Sequence, residues 1–131
     1  MEIRLELVRD PIPPNVSTPP RVGGQVGAVL VFEGVVRGDE SGNPISALEY
    51  EAYDTMAMNE MRRILNHLAA QHPCHEVRVT HRLGPIRVGE TAIRVEVHSA
   101  HRQEGLALLE GFMNRLKEDV PIWKARAVPK T

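Results

Sequence analysis

The chain reads as an α+β domain in which two amphipathic helices cover a largely antiparallel sheet, and three observations predict it. Hydrophobic residues alternate with polar ones in several short runs, two longer stretches carry apolar residues three and four apart, and both stretches end at a proline. With 131 residues, 42% of them apolar and 25% charged, there is material for one core of ordinary size, so residues 1–131 are expected to form a single domain.

Ile3, Leu5 and Leu7 alternate with Glu2, Arg4 and Glu6, which is the period of a strand with one buried face. Pro11, Pro13, Pro14, Pro19 and Pro20 then interrupt any ladder, so residues 11–24 are expected to be a Pro/Gly-rich linker. Val26 to Val36 is rich in β-branched residues and almost continuously apolar, as expected of a central strand covered on both faces. Gly34 inside it predicts a bulge or a close backbone approach. Residues 38–44 are dense in turn formers and suit a flap; Ile45 to Tyr53 reads as the returning strand.

Asp54 is a candidate N-cap for a helix that buries Met58, Met61, Leu65 and Leu68 and ends near His72-Pro73. Val77, Val79 and His81 form a third alternating run, closed by Gly84-Pro85. A turn at residues 87–90 leads into a fourth, with Ile93, Val95 and Val97 facing one way and Arg94, Glu96 and His98 the other. Ser99 is the candidate N-cap of the second helix, with a stripe of Leu106, Leu109, Met113 and Leu116 widened by Leu108 and Phe112. Pro121 stops it, and a short tail follows. Gly105 and Gly111 are poor helix formers, which close packing against another backbone explains.

The balance of charge removes several functions. Sixteen Lys and Arg against seventeen Asp and Glu leave a net charge of −1, so no bulk positive field draws the protein to nucleic acid or a membrane surface. Five aromatic residues are too few for a base-stacking surface. One cysteine, Cys74, cannot form an intrachain disulfide, no apolar run approaches the roughly 20 residues of a membrane span, and the charged N-terminus does not suit a signal peptide. A cytoplasmic protein is expected. No phosphate-binding loop, dinucleotide fingerprint or Gly-x-Ser-x-Gly is present. The run His72-Pro73-Cys74-His75 lacks the second ligand pair of a zinc site and reads as loop; His67 and His81 read as surface or core-edge histidines.

What remains is a local cluster of basic groups around the second helix. His101 and Arg102 open it, Lys117 lies near its end, and Lys124 follows the Pro121-Ile122-Trp123 step, with Arg37 as a fifth candidate. Taken singly these are ordinary helix-end charges. Sixteen residues separate His101 from Lys117, which is roughly 24 Å along a straight helix, so one chain cannot close both around one small ligand. A homodimer whose helices run antiparallel across a two-fold axis would bring opposite ends together in two shared sites. Trp123 is expected to be both a core anchor, fixing the backbone that aims Lys124, and a stacking surface.

These residues carry a family pattern. The runs FEGVVR (Phe32 to Arg37), EAY (Glu51 to Tyr53), HRLG (His81 to Gly84), SAHR (Ser99 to Arg102) and LK followed by PIWK (Leu116 to Lys124) resemble the large, catalytic subunit of molybdopterin synthase. The resemblance implies an α/β-hammerhead fold and a central homodimer, with a small ubiquitin-like sulfur carrier docked at each end. It also implies transfer of two sulfurs, delivered as thiocarboxylate on the carrier's C-terminal glycine, to cyclic pyranopterin monophosphate, with no metal and no cofactor. The pocket residues it implies are Phe32, Arg37, Met113, Lys117 and Lys124, with His101 and Arg102 from the neighbouring subunit; Lys117 and Lys124 would be catalytic and the others substrate-binding. Two departures stand out: Arg126 occupies a position where the family often has an acid, and its members tend to continue past the length of this chain. They point to an alternative, a non-catalytic dimeric anion-binding or scaffold module of the same fold.

Overall fold

The computed structural model describes residues 1–14 and 24–131. In order these are β1 (Glu2–Val8), β2 (Ala28–Val35), β3 (Asp39–Glu40), β4 (Asn43–Ala52), α1 (Asp54–Gln71), β5 (Glu76–Arg82), β6 (Gly84–Arg87), β7 (Thr91–Ser99), α2 (Arg102–Asp119) and β8 (Ile122–Pro129). Of the expected linker, residues 11–14 have no regular structure and 15–23 lie outside the described residues.

Two sheets are built. The first has the order β1-β5-β7-β2, with β1 parallel to β5 and the other pairs antiparallel. The second is β3-β4-β6, with β8 on the other side of β4. The expected short tail after Pro121 is therefore a strand. Pro121 ends α2, and the residues beyond it complete a ladder whose other half, β4, comes 70 to 84 residues earlier and is invisible to local pattern.

Both helices bury their stripes against the first sheet. Met61, Ile64, Leu65 and Leu68 of α1 meet Leu108, Phe112 and Leu116 of α2 over Val77, Val79, Val95 and Val97. Burial of each such side chain contributes about 1.5–3 kcal/mol relative to exposure. A smaller cluster of Val36, Ile45, Leu48, Ile86 and Ala92 fills the second sheet.

Several local expectations shift. The buried face of α2 is Gly105, Leu108, Phe112 and Leu116, while Leu106 is half exposed and Leu109 and Met113 are only partly buried. The glycine is what rotates the stripe. A Cβ on Gly105 would lie 2.6 Å from Leu30 Cδ1 and 2.7 Å from Ser99 Oγ, and one on Gly111 would lie 2.9 Å from Leu68 Cδ2. Both glycines thus serve close packing within the chain, against side chains rather than against another backbone. Neither expected N-cap caps: Asp54 is the first residue of α1 after Tyr53, and α2 starts after His101, whose carbonyl accepts the hydrogen bond from the buried Ser99 hydroxyl.

The strand at Val26 to Val36 is shorter and lies at a sheet edge. Its burial alternates, leaving Val29, Val31 and Val35 exposed. Gly34 fulfils both expectations, since the register with β7 shifts beside it and a Cβ there would sit 2.8 Å from Ile93 Cγ2. On β7, Glu96 and His98 are buried like the apolar face, and Arg78 and Glu76 of β5 stand beside them.

Candidate active site

A cavity of about 460 Å³ opens where the two sheets and the end of α2 meet. Phe32 and Gly34 of β2 form one wall, and the chain leaves β2 to bring in Arg37. Met113 and Lys117, one turn apart on α2, form another. Trp123 and Lys124 close it from β8. Phe32, Arg37, Met113, Lys117 and Lys124 therefore line one space, brought together from three stretches of sequence.

Lys124 is aimed by the ladder. It pairs with Tyr50 across β4 and β8, while Arg126 pairs with Glu49, so Ala125 is an extra residue in β8 and the strand bulges there. Glu49 and Tyr50 are successive residues and face opposite ways, so the bulge sends Lys124 and Arg126 to opposite faces. Lys124 and Tyr50 line the cavity; Arg126 instead forms an ion pair of 3.7 Å with Glu49. The unexpected positive charge at 126 is in this way turned off the site.

Glu40 meets Lys124 from the opposite rim, its Oε2 accepting a hydrogen bond of 3.0 Å from Nζ. The segment 38–44 that suited a flap is a hairpin: Glu40 pairs with Asn43, and Ser41 and Gly42 between them have φ of 53° and 82°. Two central residues at positive φ form the tight turn whose twist matches antiparallel strands.

The floor holds two residues that sequence reasoning missed as site residues. His81 is 5% exposed and its Nδ1 lies 2.8 Å from the Arg82 carbonyl oxygen. A carbonyl only accepts, so Nδ1 carries the hydrogen and Nε2 is left as an acceptor. Burial holds the ring's pKa below the usual histidine value, with the carbonyl opposing, so His81 is neutral near pH 7. The Tyr50 ring meets it edge-on at 5.3 Å and 65°. Burial pushes the Tyr50 phenol up, Lys124 pulls it down and Glu40 adds to the rise, so Tyr50 keeps its proton and can donate. The period-2 run of β5 carried the signal for His81, which continues the buried parity of Val77 and Val79. Trp123 is 37% exposed at the rim, its ring 5.1 Å from that of Tyr53, and is not the core anchor expected.

His101 and Arg102 are not in this cavity. They are exposed at the far end of α2, His101 with its side chain 77% accessible and its Nδ1 4.0 Å from Glu104. Among the described residues, no three His, Cys, Asp or Glu side chains are grouped to hold a metal ion. Cys74 sits half-buried in the turn between α1 and β5, its thiol pushed up to about 11 first by burial and then by Glu104, which keeps it from acting as a thiolate. No helix among the described residues is long and apolar enough to cross a membrane.

A family model described as MoaE protein matches residues 9–119. The molybdopterin synthase catalytic subunit of Staphylococcus carnosus is 36% identical over 121 residues, 92% of this chain and 81% of that one. That of Rattus norvegicus is 42% identical over 98 residues, 75% of this chain and 49% of the relative, so the match spans about half of the rat protein. Among solved structures, molybdopterin synthase from Staphylococcus aureus superposes with a TM-score of 0.81 at 31% identity, covering 95% of this chain and 90% of that one.

Proposed function

Since the chain belongs to the MoaE protein family, we propose that it is the catalytic subunit of a molybdopterin synthase. On this reading it transfers two sulfurs from a thiocarboxylated small carrier subunit to cyclic pyranopterin monophosphate. One observation carries the reading: Arg37, Lys117 and Lys124 converge on a single cavity that Phe32 and Met113 line with apolar surface. A volume of about 460 Å³ lies in the range of small-molecule sites.

The chemistry asks for these groups. The substrate brings a cyclic phosphate, the carrier brings a thiocarboxylate, and two anions do not approach one another without cations between them. Arg37 offers a planar fork suited to phosphate oxygens. Lys117, at the last turn of α2, is assigned to the carrier's tail; there an ammonium stabilises the charge that develops as the thiocarboxylate sulfur bonds to a pterin side-chain carbon and the oxygen on that carbon departs, as the phosphate oxygen when the cyclic phosphate opens and as water at the other carbon. Water then cleaves the acyl–sulfur bond, so the carrier leaves as a carboxylate and the sulfur stays on the pterin. Lys124 holds substrate oxyanions or moves a proton, and Tyr50, kept protonated by its burial, is a hydrogen-bond donor beside it.

His101 and Arg102 complete the site from a second copy. At roughly 24 Å from Lys117 along α2 they cannot serve the cavity of their own chain, so a homodimer with two shared sites is part of the proposal, as are one carrier per site, one domain over residues 1–131 and a cytoplasmic setting. Arg126, one of the two grounds for a non-catalytic binding module, is turned away from the cavity by the bulge at Ala125 and pairs with Glu49.

The test is reconstitution. Full-length protein, thiocarboxylated carrier and cyclic pyranopterin monophosphate are expected to yield the dithiolene product, and Lys117→Ala to abolish it while the dimer stays folded. Near-normal turnover by Lys117→Ala would remove that residue from the mechanism. Absence of product from the unaltered protein, with both substrates intact, would favour the binding module.

A further inference from the structure

Three cations line the cavity, and they are not equivalent. Among the described residues, Arg37 and Lys117 have no carboxylate within ion-pair distance, whereas Lys124 already holds one: Glu40 Oε2, 3.0 Å from Nζ. That carboxylate is delivered with little freedom. Glu40 is the last residue of β3, bound to β4 through the pair Glu40–Asn43 and closed by the two-residue turn at Ser41 and Gly42. The hairpin thus presents a carboxylate at the mouth of a site built for anions. Tyr50 stands opposite Lys124 on the neighbouring strand and feels both charges, which brings the three groups into one electrostatic cluster.

We propose that Glu40 is a built-in stand-in for the anion that Lys124 binds during the reaction: it neutralises the ammonium in the empty site and is displaced when an oxyanion enters. The inference rests on the reading of Lys124 given above and names Glu40 as a positioning residue. Two features make displacement feasible. The pair is partly exposed, with side-chain accessibilities of 49% for Lys124 and 27% for Glu40, and pairs in such settings are weak enough for a charged ligand to compete. Lys124 also swings on four methylenes, so it can release Glu40 and follow a ligand inward while the hairpin stays in place. The incoming group is an oxyanion, and the site offers two sources for it: the carboxylate-like tail of the carrier and the phosphate of the pterin.

The experiment titrates the full-length protein with two probes, inorganic phosphate and acetyl-diglycine, at low ionic strength. Each is measured for the unaltered protein, Glu40→Gln, Glu40→Asp and Glu49→Gln, the last removing a carboxylate that pairs outside the cavity. Glu40→Gln is expected to bind at least one probe roughly two- to fivefold more tightly, with Glu40→Asp in between and Glu49→Gln unchanged. The gain should shrink as salt rises to about 0.5 M. A gain for acetyl-diglycine assigns the position to the carrier's tail, and a gain for phosphate to the pterin. In turnover, Glu40→Gln should lower KM without raising kcat. Unchanged or weaker binding of both probes by Glu40→Gln overturns the proposal, since a carboxylate that holds Lys124 ready for ligand would weaken binding when lost. Tighter anion binding by a protein that makes no dithiolene would keep this inference and remove the catalytic reading; dithiolene synthesis with unaltered anion binding in Glu40→Gln would do the opposite.

Discussion

Replacing Gly105 by alanine sets two opposed effects against each other, and the structure decides the sign. In a helix interior the change ordinarily stabilises by about 1 kcal/mol, because alanine loses less conformational freedom on folding. Here the new methyl would lie 2.6 Å from Leu30 Cδ1 and 2.7 Å from Ser99 Oγ, far inside contact distance. Leu30 can turn, but Ser99 is fully buried and its hydroxyl is committed to the His101 carbonyl at 2.7 Å, the contact that sets where α2 begins. Overpacking of this kind costs about 1–3 kcal/mol, so Gly105→Ala should be destabilised by about 0–2 kcal/mol net. Gly111→Ala meets only the end of Leu68, at 2.9 Å, which a small rotation relieves, and should come out within about 0.5 kcal/mol of neutral. Urea denaturation at fixed protein concentration reads the difference as a lower midpoint for Gly105→Ala at unchanged m-value. A midpoint raised by the full helix-propensity gain would refute the argument that Gly105 is there for close packing.

Other outcomes follow from the same contacts. Phe112→Ala, at a fully buried position on the inner face of α2, should lose about 3–5 kcal/mol in the same denaturation assay. Ser41→Gly relieves a left-handed non-glycine residue at φ 53° and should stabilise by up to about 1 kcal/mol, seen as a raised midpoint. His81 titrates below its ordinary value because it is buried, so as pH falls the unfolded chain takes up its proton first. Its contribution is complete above about pH 6.5 and is lost as pH drops below that, so the fall in stability between pH 7 and 5 should be shallower in His81→Gln than in the unaltered protein. Cys74, with its thiol pushed up to about 11, should react with iodoacetamide far more slowly at pH 7.5 than a free thiol of ordinary pKa, and Cys74→Ala should turn over normally.

Much of this architecture was legible in the sequence because local rules and the fold agree. The alternation of Ile3, Leu5 and Leu7 and of Val77 and Val79 gave β1 and β5, and the stripe of Met61, Leu65 and Leu68 gave α1. The rest depended on partners distant in the chain. β8 could not be read as a strand because its ladder partner is β4, and the bulge at Ala125 exists only in that pairing. The face of α2 was misjudged because Gly105 counts as apolar surface only when Leu30 and Ser99 lie against it. Phe32, Arg37, Met113, Lys117 and Lys124 could be named from the family pattern and do share one cavity. Tyr50 and Glu40 could not, and His81 stood in the HRLG run with no role attached, since a tyrosine, a glutamate and a histidine on these strands acquire meaning only through what the second sheet sets beside them.

His101 and Arg102 are proposed to serve the cavity of a second copy, and mixing two inactive chains tests that most directly. His101→Ala and Lys117→Ala chains, each without activity alone, are co-refolded at equal amounts and assayed for dithiolene synthesis. If His101 serves the neighbour's cavity, half the dimers are mixed and each mixed dimer regains one of its two sites, so about a quarter of the unaltered activity should return. No recovery, in a sample proven to contain mixed dimers, would mean that His101 and Lys117 do not meet across the dimer.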